Sequence, residues 1–170
     1  MSRLFFALWP DDETRDQLYQ VATQFQDEPV RLVAKSNLHM TLAFLGEVSE
    51  HVQKEVTRDA ASIKAKQFTL TLTRVGWWEK PRIAWLGPEQ HPPQLLDLVE
   101  AIAVILKPHG IKPDKRRYKP HVTFARKVKQ NIIAKNRFSI DWHINRFALI
   151  VSESGPGGVT YRVLKSWLFS

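Results

Sequence analysis

A mixed fold of strands and helices, arranged as two lobes about a pseudo-twofold axis, is predicted by three observations. Strand and helix patterns alternate along the chain, one strand–helix–loop–strand unit recurs, and no linker or low-complexity tract separates the copies. The recurrence is carried by Arg3 to Pro10 (RLFFALWP) and Arg82 to Pro88 (RIAWLGP), each an apolar strand with a leading Arg and a closing Pro. Each is followed by a helical pattern and then by a strand that opens His-x-Thr. From Arg3 to Arg82 is 79 residues and from His39 to His121 is 82, so the copies hold register to within three residues. Residues 1–170 are therefore read as a single domain of two interleaved lobes, with the two His-x-Thr strands facing each other across a cleft.

The elements follow in order. Leu4 to Trp9 is a short apolar run closed by Pro10 and reads as a buried strand. Pro10-Asp11-Asp12-Glu13 supplies helix-start chemistry, and Leu18, Val21, Ala22 and Phe25 carry the helical spacing to about Gln26. Strands are expected at Arg31 to Val33 and at His39 to Leu45, the second ending at Gly46. Ser49 opens a helix expected to run to about Lys66, with Val52, Val56, Ala60 and Ile63 on one face. Phe68 to Val75 alternates Phe and Leu against Thr, the period of a half-exposed strand, and Arg82 to Leu86 is its partner. A third helix opens at Pro92 or Pro93 and ends at His109-Gly110. His121 to Arg126, Arg146 to Ser152 and Val159 to Trp167 complete the strands, the last two joined as a hairpin through Gly155-Pro156-Gly157-Gly158.

Composition narrows the chemistry. With 44% hydrophobic residues and 18 aromatics in 170, the chain has ample material for a packed core and is not disordered. No apolar run approaches the ~20 residues that cross a bilayer, and Leu4 to Trp9 is too short for a signal peptide, so a cytoplasmic protein with no membrane partner is expected. The absence of Cys excludes disulfides, thiolate nucleophiles and Cys-based metal centres. The formal net charge of +8 is concentrated: Lys107 to Lys129 holds nine basic residues against the single acid Asp114, while the rest of the chain balances at 16 of each sign. That distribution suits a partner bearing phosphate; a solvated basic loop is the alternative.

In His39-Met40-Thr41-Leu42 and His121-Val122-Thr123-Phe124, strand alternation puts each His and Thr on one face and the apolar pair on the other. One His-x-Thr alone describes an ordinary structural histidine. Two, at equivalent places of an internal repeat, describe a site. In-line displacement at a phosphodiester needs a base for the nucleophile and an acid for the leaving oxygen on the far side of phosphorus, and His performs either task near neutral pH. The Thr hydroxyls can hold the non-bridging oxygens. No cofactor and no metal are expected, since His39, His51, His91, His109, His121 and His143 form no metal-ligand spacing. His51, His91, His109 and His143 read as surface or capping residues.

The segments NLHMTLAFLGEV and RRYKPHVTFARKV resemble the two signature motifs of the two-histidine (2H) phosphoesterases, specifically the bacterial RNA 2′,3′-cyclic phosphodiesterases, or 2′-5′ RNA ligases. The RLFFAL opening, the RIAWLG strand and the TYRVLKSW ending extend the resemblance over most of the chain. It implies a bilobal α+β fold, with two antiparallel sheets lining a central cleft and helices packed outside. The implied activity is metal-independent opening of 2′,3′-cyclic phosphate ends to 2′-phosphates, with reversible ATP-independent 2′-5′ joining of RNA. Its partner would be RNA with a cyclic phosphate or a 2′-5′ linkage, met by a monomer. The same resemblance assigns His39 as proton donor, His121 as proton acceptor, and Thr41 and Thr123 to the phosphate.

Arg126 falls on the opposite strand face from His121 if the strand is regular, and reaches phosphate only if the strand ends or bulges there. Arg116, Arg117 and Lys119 precede the second motif and are placed to grip flanking phosphates, while Tyr118, Trp77, Trp78 and Tyr161 are candidates to stack on a base. Two rival functions stand beside this one. The first is hydrolysis of small cyclic nucleotides, such as ADP-ribose 1″,2″-cyclic phosphate, or of 2′-5′ oligonucleotides. The second is a noncatalytic RNA-binding module.

Overall fold

A computed structural model describes residues 1–169. Its strands are β1 (Ser2–Leu8), β2 (Arg31–Leu32), β3 (Met40–Val48), β4 (Phe68–Trp78), β5 (Ile83–Pro88), β6 (Val122–Arg126), β7 (Ile140–Ile144), β8 (Arg146–Gly155) and β9 (Gly158–Leu168). The helices are α1 (Asp12–Ala22), α2 (Glu50–Ala60) and α3 (Pro93–Leu106). Two antiparallel sheets form, of order β3-β1-β8-β9 and β2-β6-β5-β4-β7.

The sheet orders give the duplication a specific form. Strands β1 and β5, from the two matching apolar segments, each pair with the His-x-Thr strand of their own half, β3 and β6. On its other side β5 pairs with β4, the last strand of the first half, and β1 pairs with β8 from the second. Each half thus lends a strand to the sheet of the other. The helices cross over likewise: α1, which follows β1, packs on β6 and β7, and α3, which follows β5, packs on β3.

Alternation along β1 separates two apolar clusters. Leu4, Phe6 and Leu8 point into the main core, whereas Phe5 and Ala7 join Ala148 and Ile150 in a small cluster on the other face, with Trp9 and Tyr161 packed against it. Burial on both faces is why this strand reads as a continuous apolar run.

Helix ends follow the sequence chemistry, with one correction. The Asp11 carboxylate accepts from Thr14 N–H at 2.7 Å, the Ser49 hydroxyl from Val52 N–H at 3.2 Å, and Gly110 takes φ +73° after α3. Helix α2 stops at Ala60 rather than near Lys66. Its last carbonyls are taken early, by Ala61 N–H on Arg58 and by Ser62 N–H and hydroxyl on Asp59, so the chain tightens and leaves the helix before Ile63. Strand β3 does not end at Gly46 but continues to Val48, because Gly46 adopts φ +73° at a bulge opposite Leu4 and Phe5. Strand β7 is an addition to the sequence reading. Its exposed positions pair across β4, with Thr71 donating to Asp141 at 2.8 Å and Thr69 meeting His143 Nδ1 at 2.8 Å.

Candidate active site

The site is built twice from the same backbone device. His39 Nδ1 lies 2.7 Å from the carbonyl of Asn37, and His121 Nδ1 lies 2.7 Å from the carbonyl of Lys119, in each case the residue two before the histidine. A carbonyl only accepts, so both Nδ1 atoms carry the proton and both Nε2 atoms are the basic nitrogens of the neutral rings. The Thr41 hydroxyl then donates to His39 Nε2 at 3.0 Å.

A bulge follows each motif at the same place. Ala7 pairs with Thr41 and Phe6 with Ala43, leaving Leu42 as an extra residue; Trp85 pairs with Thr123 and Ala84 with Ala125, leaving Phe124 as the extra one. The bulge after Thr123 shifts the alternation of β6 by one residue. Arg126 is thereby turned onto the face of Thr123, is solvent-exposed, and is near enough for its charge to act on His39.

Aromatic side chains wall both histidines. Trp9 stacks on His39 at 6.0 Å, Phe5 lies at 4.9 Å, and Tyr161 meets the ring edge-on at 5.1 Å. Around His121 the walls are Trp78 at 4.6 Å and Trp85 at 6.4 Å. The Trp85 ring lies flat across β4 and β5, where a Cβ at Gly76 would sit 2.1 Å and one at Gly87 2.6 Å from it; the two glycines leave its space. Trp77 is turned away, its indole N–H donating to the Val128 carbonyl at 2.9 Å.

Two residues tie this arrangement together. Arg15, buried at the start of α1, donates to the carbonyls of Lys35 at 2.8 Å and Leu38 at 2.9 Å, and lies 4.7 Å over the Trp9 ring. It holds the turn that carries Asn37 and His39. Tyr118 donates its hydroxyl to the Thr41 carbonyl at 2.8 Å and so clamps the segment before the second motif onto the first; burial raises its phenol above the ordinary value. Of the remaining cations, Arg116 is bound to Asp114 at 2.9 Å, Arg117 is exposed, and Lys119 lies 5.8 Å over the Trp78 ring.

Burial pushes the His39 imidazole down to about 4, and the charges of Arg15, His121 and Arg126 push the same way against the Asn37 carbonyl. Burial also lowers His121, opposed by the Lys119 carbonyl. At neutral pH both rings are uncharged until an anion enters. Two imidazoles, each with a threonine two residues on, and a guanidinium whose charge reaches His39 are groups able to bind a phosphate and move protons.

Other sequence-singled histidines lie elsewhere. His109 is half-buried against α2, 3.2 Å from Asp59 and 3.7 Å from Glu55, because α3 and the turn after it fold onto that helix. His51 pairs with Glu55 on α2. Among the described residues no group of three or more His, Asp or Glu side chains is arranged to hold a metal. A cavity of about 530 Å³ beside Phe44, Gly46, Ser49 and His109 contains neither motif histidine. No helix of the described residues is long and apolar enough to cross a membrane.

Sequence reasoning missed Arg15, Phe5, Trp9 and Trp85. Trp85 stands opposite Thr123 in the β5–β6 register, where the first half has Ala7 opposite Thr41, so the repeat gives no signal for it.

Comparison with known proteins agrees with the duplication. Over 167 residues, 97% of this chain and 95% of the relative, it is 36% identical to the RNA 2′,3′-cyclic phosphodiesterase of Escherichia coli (strain K12). The crystal structure of E. coli LigT complexed with 3′-AMP superposes with a TM-score of 0.90 at 34% identity, covering 99% of this chain and 98% of that one. The crystal structure of TT0787 of Thermus thermophilus gives 0.81 at 26% identity over 98% and 97%. The model of one family, described as LigT like Phosphoesterase, matches twice in succession, over residues 8–85 and 86–161. Its two matches divide the chain within β5, where the second copy of the repeat begins, and the chain belongs to the LigT-like phosphoesterase family.

Proposed function

We propose that this chain is an RNA 2′,3′-cyclic phosphodiesterase, acting in the cytoplasm on RNA 3′ ends. The reading rests above all on one observation: the paired Nδ1–H to carbonyl bonds at His39 and His121, which leave Nε2 as the basic nitrogen of each ring. The relatives named for this activity and their LigT-like fold support it.

His121, the more open of the two, takes a proton from a water molecule, whose oxygen attacks phosphorus as the bond from phosphorus to O3′ breaks. His39, protonated once the anionic phosphate is bound, gives its Nε2 proton to O3′ and leaves a 2′-phosphomonoester. Protonation of His39 ends the Thr41 donation to Nε2: Nε2–H then faces O3′, and the Thr41 hydroxyl hydrogen is freed to meet a non-bridging oxygen. Thr123 and Arg126 hold the remaining charge. Because the chain supplies acid, base and counter-charge, no metal takes part.

The test is turnover of 2′,3′-cyclic AMP in EDTA. Activity should persist, the product should be 2′-AMP, and His39→Ala and His121→Ala should each lose roughly 10²-fold or more while remaining folded. Loss of wild-type activity in EDTA with rescue by a divalent ion, or near-normal turnover in either variant, would sink the mechanism. Binding of the cyclic phosphate without turnover would favour the noncatalytic module.

A further inference from the structure

Beside the cleft, where β2, β5 and β6 end, lies a pocket of about 390 Å³ with cationic lining from Arg31, Arg82, Arg126, Lys127 and Lys129 and no acidic residue. Some surface cations sit against an acid, Arg58 on Asp59, Arg116 on Asp114 and Arg162 on Glu153; here five cations share one concavity without one. Among the described residues none of these five forms an ion pair.

The arrangement is maintained against its own energetics. Arg31 stands directly opposite Arg126 in the β2–β6 register, a like-charge pair that destabilises a sheet. Among the described residues Arg82 and Lys127 are the two non-glycine ones with positive φ, +67° and +58°, a region side chains occupy at a cost. They are held there together, since Val128 N–H, next to Lys127, donates to the Arg82 carbonyl at 2.9 Å. The like charges gathered in this concavity are offset by an anion within it.

Arg126 joins this pocket to the cleft. It shares a face with Thr123 and also lines the pocket, so a phosphate held by Arg126 has the pocket's other cations beside it. An RNA chain that ends in a 2′,3′-cyclic phosphate continues only from the O5′ side of that terminal nucleoside, so its next phosphate lies one nucleoside away. Resting on the function proposed above, we infer that this pocket is a second phosphate subsite, which holds the 5′ phosphodiester of the nucleotide whose cyclic phosphate lies between the histidines. The enzyme is thereby directed to oligonucleotide ends rather than to free cyclic nucleotides, and the grip on the flanking phosphate falls to Arg31, Arg82, Lys127 and Lys129.

The double variant Arg31→Gln/Lys129→Gln tests this with three substrates: 2′,3′-cyclic AMP, the same nucleotide with a 5′-phosphate, and a cyclic-phosphate-ended dinucleotide. In the wild type the 5′-phosphate and the dinucleotide should each lower KM by about tenfold or more relative to cyclic AMP, the scale of charge-assisted bonds to a phosphate. The double variant should lose most of that gain and hydrolyse cyclic AMP unchanged. For a longer cyclic-phosphate-ended oligonucleotide, the slope of log affinity against log salt should flatten by about 0.7 per contact removed. A gain seen for the dinucleotide but absent for the 5′-phosphorylated mononucleotide would assign the effect to the second base and overturn the subsite. So would an unchanged gain and salt slope in the variant, or an equal loss on all three substrates. If the wild type turns over none of them, it is the phosphodiesterase reading that fails, not the pocket alone.

Discussion

Burial of His39 has a consequence for stability that can be measured without any substrate. In the unfolded chain its imidazole titrates near 6.5; in the folded protein it is held at about 4. A depressed base binds fewer protons folded than unfolded. The folded state therefore suffers no penalty above pH 6.5, loses stability as pH falls from there, and levels off below about 4. At 1.36 kcal/mol per pK unit, the loss attributable to this ring between pH 7 and pH 4.5 is about 2.5 kcal/mol. For a chain of 170 residues that corresponds to roughly 5–10 °C in Tm. The perturbation is His39→Gln, which removes the titration. Whatever constant offset the substitution introduces through the lost bond to Asn37 cancels in the pH difference. Urea unfolding of both proteins at pH 7 and pH 4.5 gives the four free energies needed. The wild type should lose about 2.5 kcal/mol more than the variant on acidification, and inorganic phosphate should narrow the difference, because the anion pairs with the charged ring. Parallel pH dependence in the two proteins would refute the buried neutral imidazole, and with it the account of how an entering phosphate arms His39.

Two further outcomes follow from the same groups. The productive free protein carries a proton on His39 and none on His121, and both rings titrate below their ordinary value, so kcat/KM for 2′,3′-cyclic AMP should peak on the acid side of pH 6.5 and fall about tenfold per unit above it. The corresponding limb of kcat should lie at higher pH, since bound phosphate stabilises the imidazolium; a kcat/KM profile flat from pH 7 to 8.5 would contradict this. Replacing Arg15 by Met removes the hydrogen bonds to the Lys35 and Leu38 carbonyls and should destabilise by about 2–4 kcal/mol in urea unfolding. Because the charge of Arg15 also lowers His39, the kcat/KM limb of that variant should move to higher pH, which loss of packing alone would not do.

The sequence carried the parts of this fold that depend on local period. Alternating Phe and Leu against Thr in β4, the capping acids of α1, the Gly-rich turn before β9 and the two His-x-Thr strands are all written in adjacent residues. What stayed hidden depends on partners far along the chain. Strand β7 is five residues long and is defined by β4, some seventy residues earlier. The bulges at Leu42 and Phe124 leave the apolar pattern looking regular, and only the register against β1 and β5 exposes the extra residue. Arg15 occupies an ordinary amphipathic helix, and periodicity gives no sign that a guanidinium there is buried on the carbonyls of Lys35 and Leu38. The charge excess of Lys107 to Lys129 was visible as a block, but the fold divides it: Arg116 turns back on Asp114, while Arg126, Lys127 and Lys129 meet Arg31 and Arg82 from distant segments.

The duplication is kept where the chemistry is symmetric and abandoned where it is not. In-line displacement places an acid and a base on opposite sides of one phosphorus, and the two halves supply equivalent histidines, equivalent carbonyls two residues earlier and equivalent bulges one residue after the threonine. Both parts of the proton transfer are therefore positioned by backbone, the part of a duplicated unit least altered by substitution. The position five residues after each histidine is Phe44 in the first half and Arg126 in the second, an exposed aromatic ring against an exposed guanidinium. A phosphate in a fully symmetric cleft would have no preferred direction for the chain attached to it. On the function proposed above, one cationic end opening on further cations and one aromatic end would give the site a polarity, and a strand with a phosphate at its end would lie in it only one way.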